Sequence, residues 1–388
     1  AIAQPVPGGT LDPLTITKYV TPLVIPPVLF DDGGASMVAN VSMRQINQQV
    51  LPAGLPATPL WAYGNPADPA TFNNPGFTVE VTKDTMTTVK WINGLVDATG
   101  NYLQHVLKDN YDVPVIDQLL LWAAPNQDCL NGVARPDCRG ASDQPYTGPV
   151  PMVTQVHGAH TNAVSAGYPE AWWLPAAYDI PSGYATEGTF YDNTPGTGSA
   201  VYQYTNNQPT STLWYRDNTV GIARLNQYAA GAGFWLIRDT SDGETGLLQG
   251  VLPGPAPKLG DDPNGDPAVR AAIREIPIII QPKSFNADGS LFYPADRAFF
   301  EGLGNGQTFA DNTDLNIPFL PQATSDIAPA WNPEAFFNTM VVNGITWPVL
   351  EVAPERYRFR ILNAADSRFL NLSLHQLNDD GDKLRELA

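Results

Sequence analysis

Short runs in which apolar and polar residues alternate, each closed by Gly or Pro, recur along most of the chain and predict strands. The run 36–50 places Val38, Val41, Met43 and Ile46 on a first strand. At 77–81, Phe77, Val79 and Val81 alternate with Thr78 and Glu80. After the polar Lys83-Asp84, the run TTVKWIN at 87–93 reads as the second strand of the same hairpin. A strand at 150–156 leads into QVHGAHTNAVSAGYPEAWW at 155–173. Further strands are expected at 200–204, at Leu213-Trp214-Tyr215 and at 233–237, the last apolar on both faces, with one or two helical turns at 219–228. Six to eight short strands suit a Greek-key sandwich.

The pattern divides the chain into a domain at 1–240, an acidic Pro/Gly linker at 241–270 and a second, incomplete sandwich at 271–388. Residues 1–36 read as an extended arm packed along the first sandwich. No period holds across 97–148, which reads as an insertion loop, a lid or a contact surface. The linker's Asp261, Asp262, Asn264 and Asp266 lack the spacing of a helix–loop–helix calcium site and read as solvated. In the second domain EIPIIIQ at 275–281 is an apolar strand, and 286–293 a hairpin with a Gly-containing turn. At 356–363 Tyr357, Phe359 and Ile361 alternate with Arg356, Arg358 and Arg360, so one face is expected buried and one charged. Leu370, Leu372 and Leu374 share a face of a strand ending at His375.

Composition narrows the class. The 388 residues are 43% apolar and 15% charged, with 33 Gly and 37 Pro, which suits a globular all-β protein of two or three domains. A net charge of −18 excludes nucleic acid and anionic membrane surfaces as partners. No apolar run approaches the roughly 20 residues of a membrane helix. The start Ala1-Ile2-Ala3-Gln4 suits a mature terminus after signal cleavage, and low Lys content favours an extracellular or periplasmic location. Cys129 and Cys138 can close a small disulfide loop there, with two free thiols as the alternative. No G-x-S-x-G, P-loop or H-E-x-x-H motif occurs.

Two stretches carry a family signal: 155–173, and WYRDNTVGIARLNQYAAGAGFWLIRD at 214–239. Both resemble the copper-ligating segments of the first domain of multicopper oxidases, nearest the spore-coat laccase and bilirubin oxidase-like branch. The W-x-Y-G, P-G and K-W-x-N order at 61–93 resembles the opening of that domain. The runs at 342–364 and NLSL at 371–374 resemble the second cupredoxin domain. The resemblance implies cupredoxin-like Greek-key sandwiches, copper as cofactor, and oxidation of substrate coupled to reduction of dioxygen.

The ligands that the resemblance implies are mostly replaced. H-x-H-G reads Gln155-Val156-His157-Gly158, keeping only His157. W-x-H-x-H reads Trp214-Tyr215-Arg216-Asp217-Asn218, with both His gone. The acid before Gly-x-P-E is Ala166, while Gly167, Pro169, Glu170, Trp172, Trp214, Tyr215, Asp217, Arg224, Asn226 and Tyr228 fit the pattern. Carboxamides are poor copper ligands and a guanidinium repels the ion. His160, three residues from His157, can join it on one metal, or each is a hydrogen-bonded structural His. His105 and His375 carry no signal. Trp172-Trp173 reads as packing in preference to a stacking platform for a ring-shaped ligand.

Three readings follow. In the first, the chain is catalytically silent alone and is a structural or assembly subunit outside the cytoplasm, its second domain completed by another chain or a copy of itself. In the second, it is one fragment of a laccase-type oxidase whose other chain carries the blue copper. In the third, it is an extracellular protein that binds an aromatic ligand.

Overall fold

The computed structural model describes residues 11–108, 112, 114–116, 146–193, 196–239, 252–293, 336–378 and 383–387. Cys129 and Cys138 lie outside the described residues, as does most of 117–148. In chain order the first part comprises β1 (Val28–Asp31), β2 (Met37–Gln48), β3 (Thr58–Gly64), β4 (Thr78–Thr82), β5 (Thr87–Asn93), β6 (Thr154–His157), β7 (Ser199–Tyr204), β8 (Ser211–Asp217), helix α1 (Ala223–Ala230) and β9 (Gly233–Arg238). Beyond it follow helix α2 (Pro267–Ala272), β10 (Glu275–Ile280), β11 (Ser284–Phe285), β12 (Leu291–Phe292), β13 (Val341–Val342), β14 (Ile345–Thr346), β15 (Arg358–Asn363), β16 (Leu374–Leu377) and β17 (Lys383–Leu387).

Two sheets make the sandwich, one ordered β1-β4-β9-β8-β6 and the other β3-β2-β5-β7. Large rings fill the space between them: Trp61, Trp91, Trp173, Trp235, Tyr63 and Tyr215 are all fully buried. Tyr63 of one sheet meets Tyr215 of the other edge-on, with ring centroids 5.2 Å apart. Some of the polar ends find partners within the core, whereas Trp61 Nε1, the Tyr63 hydroxyl and Trp173 Nε1 have none among the described residues. Trp91 Nε1 donates to the Tyr204 hydroxyl at 3.0 Å, and Trp235 Nε1 to Asn206 Oδ1 at 3.2 Å. Trp172 and Trp173 are buried, as a packing role requires.

Several sequence expectations are corrected. The runs 77–81 and 87–93 are not one hairpin: β4 pairs in parallel with β1 and β9, whereas β5 pairs with β2 and β7 in the opposite sheet. Both strands carry an inward apolar row, and the turn at Asp84, with φ 61°, carries the chain across the sandwich. The arm is in part a strand, since 28–31 joins the sheet edge as β1. Residues 97–108 and 114–116 are not only a surface insertion, because His105, Leu107, Val115 and Ile116 are buried. The linker docks rather than floats: Asn264 exchanges two hydrogen bonds with the Ile25 backbone at 2.9 Å each.

A further four-stranded sheet runs β14-β13-β10-β15. On β15 the expected faces are exchanged: Arg360 is 7% exposed, whereas Phe359 and Ile361 are 44% and 49% exposed. The cause is a buried acid. Glu275 of β10 receives Arg360 Nε at 2.6 Å and Arg238 Nη1 of β9 at 2.9 Å, while Arg360 also reaches Thr212 Oγ1 of β8. The charged row therefore seals the sheet against the first sandwich. The apolar row is left outward, together with exposed Phe369, Leu372 and Leu374. The leucine row before His375 is thus not a buried face, and only Leu374–Leu377 form a strand there.

Candidate functional site

Strands β6 and β8 bring the two family-like segments together. Their antiparallel register sets Thr154 opposite Asp217, Gln155 opposite Arg216, Val156 opposite Tyr215 and His157 opposite Trp214. Because side chains alternate along a strand, Gln155, His157, Trp214 and Arg216 share one face and Thr154, Val156, Tyr215 and Asp217 the other. Asn218 follows directly after β8, its backbone N donating to Val153 O at 2.8 Å.

On the outer face these side chains bind one another. Arg216 Nη1 donates to Asn218 Oδ1 at 3.2 Å and to Asp217 O at 2.8 Å. Arg216 Nη2 lies 3.4 Å from His157 Nδ1, and Gln155 Oε1 lies 3.2 Å from the same nitrogen. One imidazole nitrogen cannot accept from Arg216 and donate to Gln155 at once, so each tautomer satisfies one neighbour. The remaining carboxamide ends turn to the loop behind: Gln155 Nε2 donates to Ala166 O at 3.2 Å and Asn218 Nδ2 to Gly167 O at 2.9 Å. That loop must come close. Gly167 has φ +66°, and a Cβ there would stand 2.6 Å from Thr154 O. Trp214 floors the group, with the Arg216 guanidinium 5.3 Å and the His157 ring 5.6 Å from its ring. Burial holds the Arg216 pKa below its usual value, and burial followed by the nearby Arg216 charge lowers that of His157.

On the inner face Asp217 is fully buried. Its carboxylate accepts from the backbone N of Val153 and Thr219, from Thr219 Oγ1 and from Asn226 Nδ2, at 3.0–3.2 Å. Burial nevertheless pushes its pKa up to about 6. Asn226 Oδ1 continues the chain to His105 Nε2 at 3.2 Å. His105 Nδ1 accepts from Leu107 N at 3.1 Å, so Nε2 carries the proton, and burial drives this pKa down to about 3. His105 is therefore a neutral structural imidazole, its ring tilted 55° to that of Trp61 with centroids 4.4 Å apart. The sequence offered no sign of its partnership with Asn226, because 121 residues separate the two.

The other two histidines have local partners of their own. His160 is exposed, with its backbone N held by Gln208 Oε1 at 2.8 Å. His375 sits on β16, its Nε2 2.8 Å from Ser373 Oγ. Among the described residues no group of three or more His, Cys, Asp or Glu side chains converges as a metal site.

No family model matches the chain. A laccase of Bacillus stratosphericus is 29% identical over 376 residues, covering 95% of this chain and 55% of that protein. A laccase of Bacillus subtilis is 28% identical over 380 residues, covering 96% and 55%. The chain thus spans about half the length of the curated relatives it matches. The crystal structure of a variant of the McoA multicopper oxidase from Aquifex aeolicus superposes with a TM-score of 0.50 at 16% identity, over 90% of this chain and 47% of that one. The fold is all-β and of the cupredoxin type. In sequence the chain resembles laccases and other multicopper oxidases.

Proposed function

We propose that this chain is a multicopper oxidase relative whose first-domain ligand positions, Gln155, Arg216 and Asn218, have been converted into a closed hydrogen-bonded group. On this reading it is catalytically silent alone and acts outside the cytoplasm as a structural or assembly subunit. The observation that supports it is the placement of Arg216. A permanent cation stands between Asn218 and His157, so the residues present do not fit copper. Only His157 offers an imidazole, and both carboxamides are engaged with the 166–167 loop.

The assembly role draws support from the second sheet. Phe359, Ile361, Leu372 and Leu374 form an outward apolar set beside a cavity of about 560 Å³ that Phe359 and Leu372 help to line. A one-sided apolar sheet is stable when another layer covers it. We take the boundaries 1–240, 241–270 and 271–388 as its domain organisation, with further β-structure, of this or another polypeptide, as the second domain's missing layer. That same surface favours the second reading, a laccase-type oxidase in which other segments carry the copper. Supplying the chain with Cu(II) and a phenolic substrate under air tests whether it is silent alone. Turnover no greater than that of free Cu(II) is expected, and turnover above it that is lost in a His157→Ala variant would overturn the silent reading.

A further inference from the structure

Several arginines of the fold are held by carboxylates, and Arg216 is not. Arg238 meets Glu80 at 2.6 Å, Arg274 meets Glu355 at 2.7 Å, and Arg360 meets Glu275 at 2.6 Å. Arg216 has no carboxylate within salt-bridge distance among the described residues, although the chain carries 39 acidic and 21 basic residues. The neighbouring Asp217 points to the opposite face and is saturated by its own donors. Arg216 Nε is shut off from solvent and has no hydrogen-bond acceptor. Nη2 has only the 3.4 Å contact to His157 Nδ1. A guanidinium presents Nε–H and one Nη–H along a single edge, the geometry that grips both oxygens of a carboxylate. A half-buried cation with that edge unsatisfied is costly unless an anion completes it.

We infer that the Arg216 edge is a binding site for a small carboxylate, gated by His157. His157 is the exposed member of the group and holds Nη2 from the solvent side. Turning it outward frees Nη2 and opens the way to Nε. In the liganded state His157 Nδ1–H donates to Gln155 Oε1 alone, which removes the competition for that nitrogen. Asn218 and Asp217 O keep Nη1 fixed, so the guanidinium plane is set before the ligand arrives. The inference rests on the reading that this end of the sheet holds no copper.

Calorimetric titration of the full chain with acetate, at ionic strength held constant by sodium chloride, tests it. Saturable one-site binding is expected, with Arg216→Gln weakening it about tenfold or more and Arg216→Lys retaining a weaker, monodentate site. A nitrogen-15 shift of Arg216 Nε on acetate addition is the companion readout, and it does not depend on the stability of any variant. Heats that follow ionic strength alone, an unmoved Nε signal, or equal affinity in a folded Arg216→Gln chain would overturn the assignment. Metal analysis of the same sample separates the two levels: bound copper sinks the functional reading, whereas a copper-free chain that ignores acetate sinks only this one.

Discussion

Gln155 and Arg216 face one another across the β6–β8 ladder, on the side of the sheet away from the aromatic core. Their cross-strand pairing unites two segments 61 positions apart in a relationship set by register rather than by spacing. A carboxamide opposite a guanidinium is a stable surface pair. An imidazole opposite an imidazole in the same register would be a metal clamp.

Restoring imidazoles should restore affinity. The variant Gln155→His/Arg216→His/Asn218→His keeps the backbone register and removes the cation. It should take up Cu(II) measurably more tightly than the parent chain in a competitive chelator titration. Equal affinity would show that the register alone does not preserve a ligand geometry.

Gly167 is required by its backbone conformation and by the space around it. Gly167→Ala forces a Cβ to within 2.6 Å of Thr154 O at a positive φ. The expected loss is about 1–3 kcal/mol of unfolding free energy, read by denaturant titration.

Glu275 should be among the costliest single losses. It is buried, and Arg238, Arg358 and Arg360 converge on it. Glu275→Ala leaves buried guanidinium groups uncompensated, and about 3–5 kcal/mol should be lost. Because the pairs bridge β9 to β10 and β15, proteolysis should begin in the second sheet.

His105 sets part of the acid limb of stability. Its folded pKa, about 3, lies below the ordinary value of 6.5, so the unfolded chain binds the extra proton. Its contribution is fully present above pH 6.5 and is lost as pH falls towards 3, with a slope of at most about 1.4 kcal/mol per pH unit. His105→Gln should flatten that limb while lowering stability at neutral pH, because Leu107 N loses its acceptor.

The outward apolar row on the second sheet should govern association. Ser in place of Phe359 and Ile361, which are both part-exposed, should lower self-association or binding of the chain's assembly partner in sedimentation experiments. Unchanged sedimentation of a chain that associates would place the contact elsewhere.

The strands were legible because alternation is a local property, and β2, β5 and β7 fall on runs of that kind, while β9 falls on a run apolar on both faces. Sheet membership was not. The pair 77–81 and 87–93 has the length and turn of a hairpin, and only the long-range parallel partners of β4 reveal the crossing. Alternation at 356–363 was read correctly as two faces, but their burial was inverted. Hydrophobicity predicts which residues prefer burial, and it could not foresee a buried Glu275 drawing Arg360 inward. At the site, the replaced residues were visible from motif comparison. Their mutual hydrogen bonds, and the unsatisfied Arg216 edge, required the register.

The most direct test is native mass spectrometry of the chain purified with and then equilibrated against excess Cu(II), followed by desalting. A chain whose former ligand positions are closed by Arg216 should emerge without stoichiometric copper, and His157→Ala should leave its mass spectrum unaltered apart from the substitution. Retention of one or more copper ions per chain, dependent on His157, would contradict the conversion of this site into a closed side-chain group.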